Sequence, residues 1–289
     1  MAAFLWLWYN FIMGLLERVR LAVLGKGKGD KGDSPKHELW SPELGHDYQS
    51  FWDKMAEDRD KAYLAVAGKP FGEPATEETL SEHGRDTARI IAQALDVDKE
   101  DRVLEVGVGV GRIAEHLAPL CKHFTGMDIS ENMVRIARER LSRFDNVTLR
   151  AHDRSDLSLF PDGSFEKIFF QVVLIHLDRE DAFRYMQEAA RVLAPAGRAW
   201  FQFYNLLHPK GFSEFKFAID YMVEKGAKTR GRVHCYTAPE VRFLVEQAGF
   251  KIREDLSCLE MVEQGFAFEI PDRDWEFYLI AVGEKLEGG

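Results

Sequence analysis

From Arg102 onward the chain switches repeatedly between two periodicities, and this switching most restricts what it can fold into. "RVLEVGV", "HFTGMDIS", "NVTLRAHD", "FEKIFFQVVL" and "GRAWFQFYN" are short runs rich in apolar, β-branched and aromatic residues. Between them lie "GRIAEHLAPL", "ENMVRIARERLSRF" and "REDAFRYMQEAARVL", whose apolar residues recur as they do on one face of a helix. Strands of this kind need cover on both faces, and intervening helices are the connections that parallel pairing requires. The pattern predicts an α/β fold: a doubly wound, mostly parallel sheet with helices on both faces. Further on, "APEVRFLVEQAG" reads as a helix with Thr237 and Glu240 spaced as a capping box. "FKIREDL" and "WEFYLIAVGE" are strands in succession, so the last is expected to pair antiparallel at an edge.

Upstream of this alternation the chain has three parts. Residues 1–24 open with "MAAFLWLWYNFIMGLL", which carries no charge and is rich in Trp, Tyr and Phe, followed by Glu17, Arg18 and Arg20. The run is short for a membrane span, which takes about 20 apolar residues, and lacks the basic start and cleavage site of a secretory signal. Its aromatic residues suit a membrane surface, and docking on a partner or on the protein's own body is the alternative. Residues 25–36, "GKGKGDKGDSPK", form a linker. Residues 37–92 read as helices broken by a loop at "AGKPFGEPA", and "FWDKMAEDRDKAYLAV" among them is amphipathic around Phe51, Trp52, Met55 and Tyr63. They are expected to cover an active site built on residues 93–289, with Trp52 and Tyr63 in its wall.

With 289 residues, 46% of them apolar, the chain can bury a substantial core. A net charge of −10 disfavours a protein that binds nucleic acid by bulk electrostatics. Three cysteines, Cys121, Cys235 and Cys258, lie far apart without metal-ligand spacing. They suit a reducing, cytoplasmic compartment, at the inner face of a membrane if residues 1–24 act as an anchor. No His and carboxylate cluster has metal spacing, so no metal is expected.

The chemistry centres on "VLEVGVGVGR", residues 103–112. Gly107, Gly109 and Gly111 would let the backbone turn sharply and approach a ligand closely, at the start of a helix whose free N–H groups favour an anion. This much serves a dinucleotide and other nucleosides equally. However, Arg112 stands where a dinucleotide fingerprint needs its last glycine, and Glu105 precedes the loop, where a pyrophosphate would be repelled and a cationic group attracted. Asp128 ends the second strand, placed to accept hydrogen bonds from both ribose hydroxyls. Together these point to a nucleoside with an amino-acid tail.

"VLEVGVGVGRIAEHLA", "FTGMDISENMVRIARERL", "AHDRSDLSLFPDGSFEKIFFQVVLIHL", "EAARVLAPAGRAWFQF" and "YTAPEVRFLVEQAGFKI" resemble, in that order, the motifs of class I S-adenosylmethionine-dependent methyltransferases. The resemblance runs roughly from Gln93 to Glu284. It implies a seven-stranded, Rossmann-like sheet with an antiparallel last strand, and S-adenosylmethionine as cofactor. It implies that Gly107, Gly109 and Gly111 close on the methionine part, above Glu105. Asp128 would bind the ribose, Ile129 and Met133 would pack on the adenine side, and Asp153, with the Arg154 amide, would meet the adenine amino group. Gln171 would face the sulfonium and its methyl. The loop after Asp153 is one residue longer than is usual in the family, and Arg154 stands where a small residue is frequent. The fourth strand ends in Gln171 rather than in the Asn/Asp-Pro-Pro-Tyr pattern of enzymes that methylate nucleic-acid bases.

The expected activity is methyl transfer to a small, partly apolar acceptor. The alternatives are a membrane-associated enzyme acting on a lipid or protein, a non-catalytic module that binds S-adenosylmethionine, and a nicotinamide oxidoreductase, which Glu105 and Arg112 disfavour. His176, at the mouth of the fourth strand, is the leading general base, with His208, His234 and Tyr236 as further candidates. Because displacement from a sulfonium needs no acid for its leaving group, positioning alone can supply much of the rate. Residues 206–235 form an insertion after the fifth strand, expected to act as a substrate lid with Phe212, Phe215, Ile219 and Met222 along one side.

Overall fold

The structure is a computed structural model that describes residues 48–67, 75–154, 156–225, 231–259 and 277–286. The apolar segment 1–24, the linker 25–36 and the loop at 68–74 lie outside these residues. The described residues begin with three helices, α1 (Tyr48–Met55), α2 (Arg59–Ala67) and α3 (Glu77–Leu95). The alternation then runs β1 (Arg102–Val106), α4 (Ala114–Leu117), β2 (His123–Asp128), α5 (Glu131–Leu141), β3 (Val147–Ala151), β4 (Phe165–Phe170), α6 (Arg179–Val192) and β5 (Leu193–Asn205). It closes with α7 (Pro209–Lys225), β6 (Cys235–Tyr236), α8 (Ala238–Gln247), β7 (Phe250–Ile252) and β8 (Tyr278–Lys285).

The strands form one sheet in the order β3-β2-β1-β4-β5-β8-β7, with the short β6 pairing off β5. β1 to β5 are mutually parallel, and β8 runs antiparallel to both β5 and β7. This is the seven-stranded class I arrangement, reached by a reversal of strand order at β1/β4. The last strand does not sit at the edge, as its sequence position suggests; β8 inserts between β5 and β7. Its "LIAV" stretch is buried on both faces, which an edge position would waste.

The sheet separates two apolar layers. On one side Leu104, Val106, Ile168, Phe170, Phe201 and Phe203 pack under α6 and α8. On the other, Val103, Phe124, Phe169, Trp200 and Val282 pack against α3 and α4. Period-2 alternation along β1, β4 and β5 thus feeds both layers. Helix starts follow local chemistry: the Ser130 side chain accepts the Met133 N–H at 3.1 Å, and the Thr76 side chain accepts that of Thr79 at 3.2 Å. At α8 the Glu240 carboxylate reaches back to the Thr237 N–H. Cys121, Cys235 and Cys258 are buried free thiols. Among the described residues no helix is long and apolar enough to cross a membrane.

Candidate active site

The carboxyl ends of β1, β2 and β4 converge at the point where strand order reverses, the place where α/β sheets bind ligands. The loop after β1 folds back on β2: the Gly107 and Val108 N–H groups both donate to the Met127 carbonyl, at 2.7 and 2.9 Å. Gly107, Gly109 and Gly111 have φ of 79°, 52° and 78°, a region L-residues rarely enter. At Gly107 a Cβ would also meet a Val173 methyl at 2.2 Å, so two requirements exclude a side chain there.

This loop forms one wall of a cleft enclosing about 980 Å³ of space. Glu105, Gly107, Gly109, Asp128, Ile129, Met133, Gln171 and His176 all line it. Glu105 is buried, its Oε2 has no hydrogen-bond partner among the described residues, and burial pushes its pKa well above the carboxylate range despite the nearby Arg112 guanidinium. Asp128 is also buried, with its pKa raised to about 6 by desolvation, partly offset by backbone N–H groups. Its Oδ1 accepts the Ser130 N–H at 2.9 Å and its Oδ2 the Gly109 N–H at 2.8 Å. Each oxygen retains a further lone pair, so the carboxylate is oriented and still able to accept two donors.

Gln171 and His176 flank the other end. The Trp200 indole N–H donates to Gln171 Oε1 at 3.1 Å. Next to it, Val172 has φ of 59°, an outlier for a β-branched residue and a local strain on the cleft wall. His176 Nδ1 lies 3.2 Å from the Gly231 carbonyl, which can only accept, so Nδ1 carries the proton. Burial, reinforced by His234, pulls the His176 pKa down to about 4, keeping the ring neutral. Its ring meets Trp52 edge to face at 5.0 Å.

Not every residue singled out from sequence reaches the cleft. Asp153 and Arg154 have exposed side chains and do not line it. Their loop curls back on Asp156, which accepts from His152 Nε2 at 2.8 Å and from the Ser158 hydroxyl at 2.7 Å, turning residues 153 and 154 outward. Gly111 packs against Leu141 behind the loop rather than on the cleft. His208, His234 and Tyr236 are outside the lining. His234 sits beside Asp178, and Tyr236 is buried between Phe203 and Arg179. Phe212, Phe215 and Ile219 of α7 are exposed at 57%, 41% and 38% and form no part of the wall. Among the described residues of that insertion, the Gly231 carbonyl meets the site through His176. Tyr63 likewise faces Glu77 and Arg140 rather than the cleft.

Other lining residues carry no signal in the sequence. Tyr185 comes from α6, and Tyr48 and Val66 come from the N-terminal helices alongside Trp52. α1 is held over the cleft at both ends. Its Asp53 carboxylate accepts the Ser130 hydroxyl at 2.7 Å. The Tyr48 hydroxyl donates to Asp181 at 3.0 Å and accepts the Asp178 N–H at 2.8 Å. Among the described residues no three His, Cys, Asp or Glu side chains converge as a metal site requires.

The sheet order, the glycine loop at the reversal point and two buried acids beside it define a Rossmann-like nucleoside-binding protein of the methyltransferase kind. Comparison with known proteins agrees. A family model described as a methyltransferase domain matches residues 103–197. A demethylmenaquinone methyltransferase of Tropheryma whipplei is 32% identical over 177 residues, covering 56% of this chain and 72% of that protein. In fold, magnesium protoporphyrin IX methyltransferase from Synechocystis, solved with bound S-adenosylhomocysteine, has a TM-score of 0.56 at 15% identity, covering 82% of this chain and 98% of that one. The cyclase SpnF has a TM-score of 0.51 at 19% identity, covering 70% and 81%. At such identities the likeness is one of fold. The chain belongs to the class I S-adenosylmethionine-dependent methyltransferases. It is an enzyme whose cofactor is S-adenosylmethionine. The residues present fit that group: the unpartnered Glu105 oxygen suits an ammonium, and the two Asp128 oxygens suit vicinal hydroxyls.

Proposed function

We propose that this enzyme transfers a methyl group to a small, partly apolar acceptor held in the same cleft as the cofactor. One observation carries the reading. The cleft has an acidic, hydrogen-bonding end at Glu105 and Asp128, and the rest of its wall is largely apolar, with Trp52, Val172, Val173, Leu177 and Tyr185 set around the polar Gln171 and His176. The name of the Tropheryma relative gives an apolar quinone as its acceptor, which supports the same class here. The net charge of −10 supports a small molecule over nucleic acid.

When bound, S-adenosylmethionine supplies an electrophilic methyl group on a sulfonium. Asp128 would hold the ribose hydroxyls, Glu105 the amino-acid ammonium, and Ile129 and Met133 would pack at the adenine side. Trp52 and the apolar wall exclude water and align the acceptor with the methyl carbon. His176, neutral with its proton on Nδ1, offers the Nε2 lone pair to a proton leaving the acceptor. The Asp153 side chain is left out of this scheme because it is exposed and does not line the cleft.

Two experiments test the reading. Asp128→Ala should weaken S-adenosylhomocysteine binding by about 1–3 kcal/mol in calorimetry, through lost charge-assisted hydrogen bonds; an unchanged Kd would refute the site. Turnover of labelled S-adenosylmethionine should appear with apolar ring acceptors in a mixed panel. A protein that binds the cofactor yet turns over none of them would be a binding module instead. The aromatic composition of residues 1–24 further supports contact with a membrane surface, where such acceptors partition. Their deletion should abolish flotation with anionic vesicles while leaving S-adenosylhomocysteine affinity unchanged.

A further inference from the structure

We propose that Trp200, outside the cleft, is a positioning residue that makes Gln171 a hydrogen-bond donor toward the acceptor, so that the site selects oxygen-bearing acceptors over amines. The inference rests on the methyl-transfer reading of the cleft and adds the chemistry of the acceptor to it.

A glutamine amide can present either of two ends, and the two ends select opposite partners. Here the choice is made from behind. Trp200 lies on β5, facing the apolar layer under α3, and is 3% exposed. Its indole nitrogen has a proton and no lone pair, so the group 3.1 Å away must be the amide oxygen. With Oε1 committed to the indole, the NH2 group is the end left for a ligand. Among the described residues that NH2 group has no hydrogen-bond partner, although Gln171 lines the cleft.

Gln171 also lines a second, smaller cavity behind the cleft, with Trp200, Thr87, Gln202 and Tyr278. Gln202 is two residues beyond Trp200 on the same face of β5, and its Oε1 is buried without a partner. It lies outside the cleft and shares the small cavity with Gln171. Gln171 lines the same cleft as His176, which is neutral and can take a proton. A donor and a base together suit an acceptor that loses a proton and gathers negative charge on oxygen, such as a phenol or an enol. A neutral amine nucleophile needs its lone pair free, and a donor aimed at it ties that lone pair up.

The test uses the full chain loaded with S-adenosylhomocysteine and two probes of one shape, 4-nitrophenol and 4-nitroaniline, followed by absorbance. The wild type should bind the phenolate about tenfold more tightly than the aniline, the effect of one charge-assisted hydrogen bond. Trp200→Phe should cut that preference to within about twofold while its S-adenosylhomocysteine Kd stays within about twofold, a split that general loss of packing would not produce. Gln171→Leu should lose the preference equally and keeps the test open if Trp200→Phe fails to fold. An undiminished preference in both Trp200→Phe and Gln171→Leu, or a wild-type preference for the aniline, would overturn the proposal alone. A wild type that does not bind S-adenosylhomocysteine would instead overturn the cofactor site on which it rests.

Discussion

At the residue scale the site is governed by two buried acids whose surroundings disfavour charge. Asp128, with its pKa raised to about 6, is largely ionised at pH 7.5 and pays for that in desolvation. The sign follows directly. A carboxyl raised in the fold contributes stability below its unfolded value near 4 and loses it as pH rises through about 6. Bound hydroxyl donors relieve the ionised form, so S-adenosylhomocysteine should bind progressively more weakly as pH falls from 7.5 to 5. In Asp128→Asn the affinity should be lower throughout, with that slope largely removed; calorimetry across the range decides. His176 titrates on the other side of the same window. Its ring stays neutral until about pH 4, so a rate that depends on it should not fall near pH 6.5, where a free histidine protonates.

At the scale of elements, the cleft depends on close approaches between segments distant in sequence. α3 reaches the glycine loop at Gly84, where a Cβ would lie 2.1 Å from the Arg112 carbonyl oxygen. Gly84→Ala must push the helix away from the loop, and a loss of about 1–3 kcal/mol is expected from overpacking, measured by denaturant unfolding. α1 buries Phe51 and Met55 and is also pinned over the cleft by hydrogen bonds at both ends. Removing the Asp53 carboxylate (Asp53→Ala) frees the Ser130 hydroxyl and one end of α1. S-adenosylhomocysteine should then dissociate several-fold faster in stopped-flow measurements, with little change in unfolding midpoint. The insertion after β5 meets the site through a backbone carbonyl at Gly231, whereas the apolar stripe of α7 faces outward.

Across the whole molecule, what the chain encodes locally and what only packing reveals separate cleanly. The alternation of apolar runs and amphipathic helices led to the parallel sheet, because pleat and helix periodicities are local properties of the chain. That Glu105, Gly107, Gly109 and Asp128 line one cleft was legible because they lie at the ends of adjacent strands, where sequence spacing translates directly into spatial spacing. The interior place of β8 was not legible, since strand order depends on which edge offers cover for both of its apolar faces. Asp153 and Arg154 illustrate the same limit: a loop's direction is set by the hydrogen bonds it finds, here those converging on Asp156. Tyr48, Val66, Tyr185 and Trp200 reach the site or its backing from four different elements, which no spacing along the chain could foretell. By itself the sequence determined the cofactor, because one βαβ unit carries its binding groups. The tertiary structure alone decided what walls the rest of the cleft, because that end is assembled from segments that come together only when the sheet is covered.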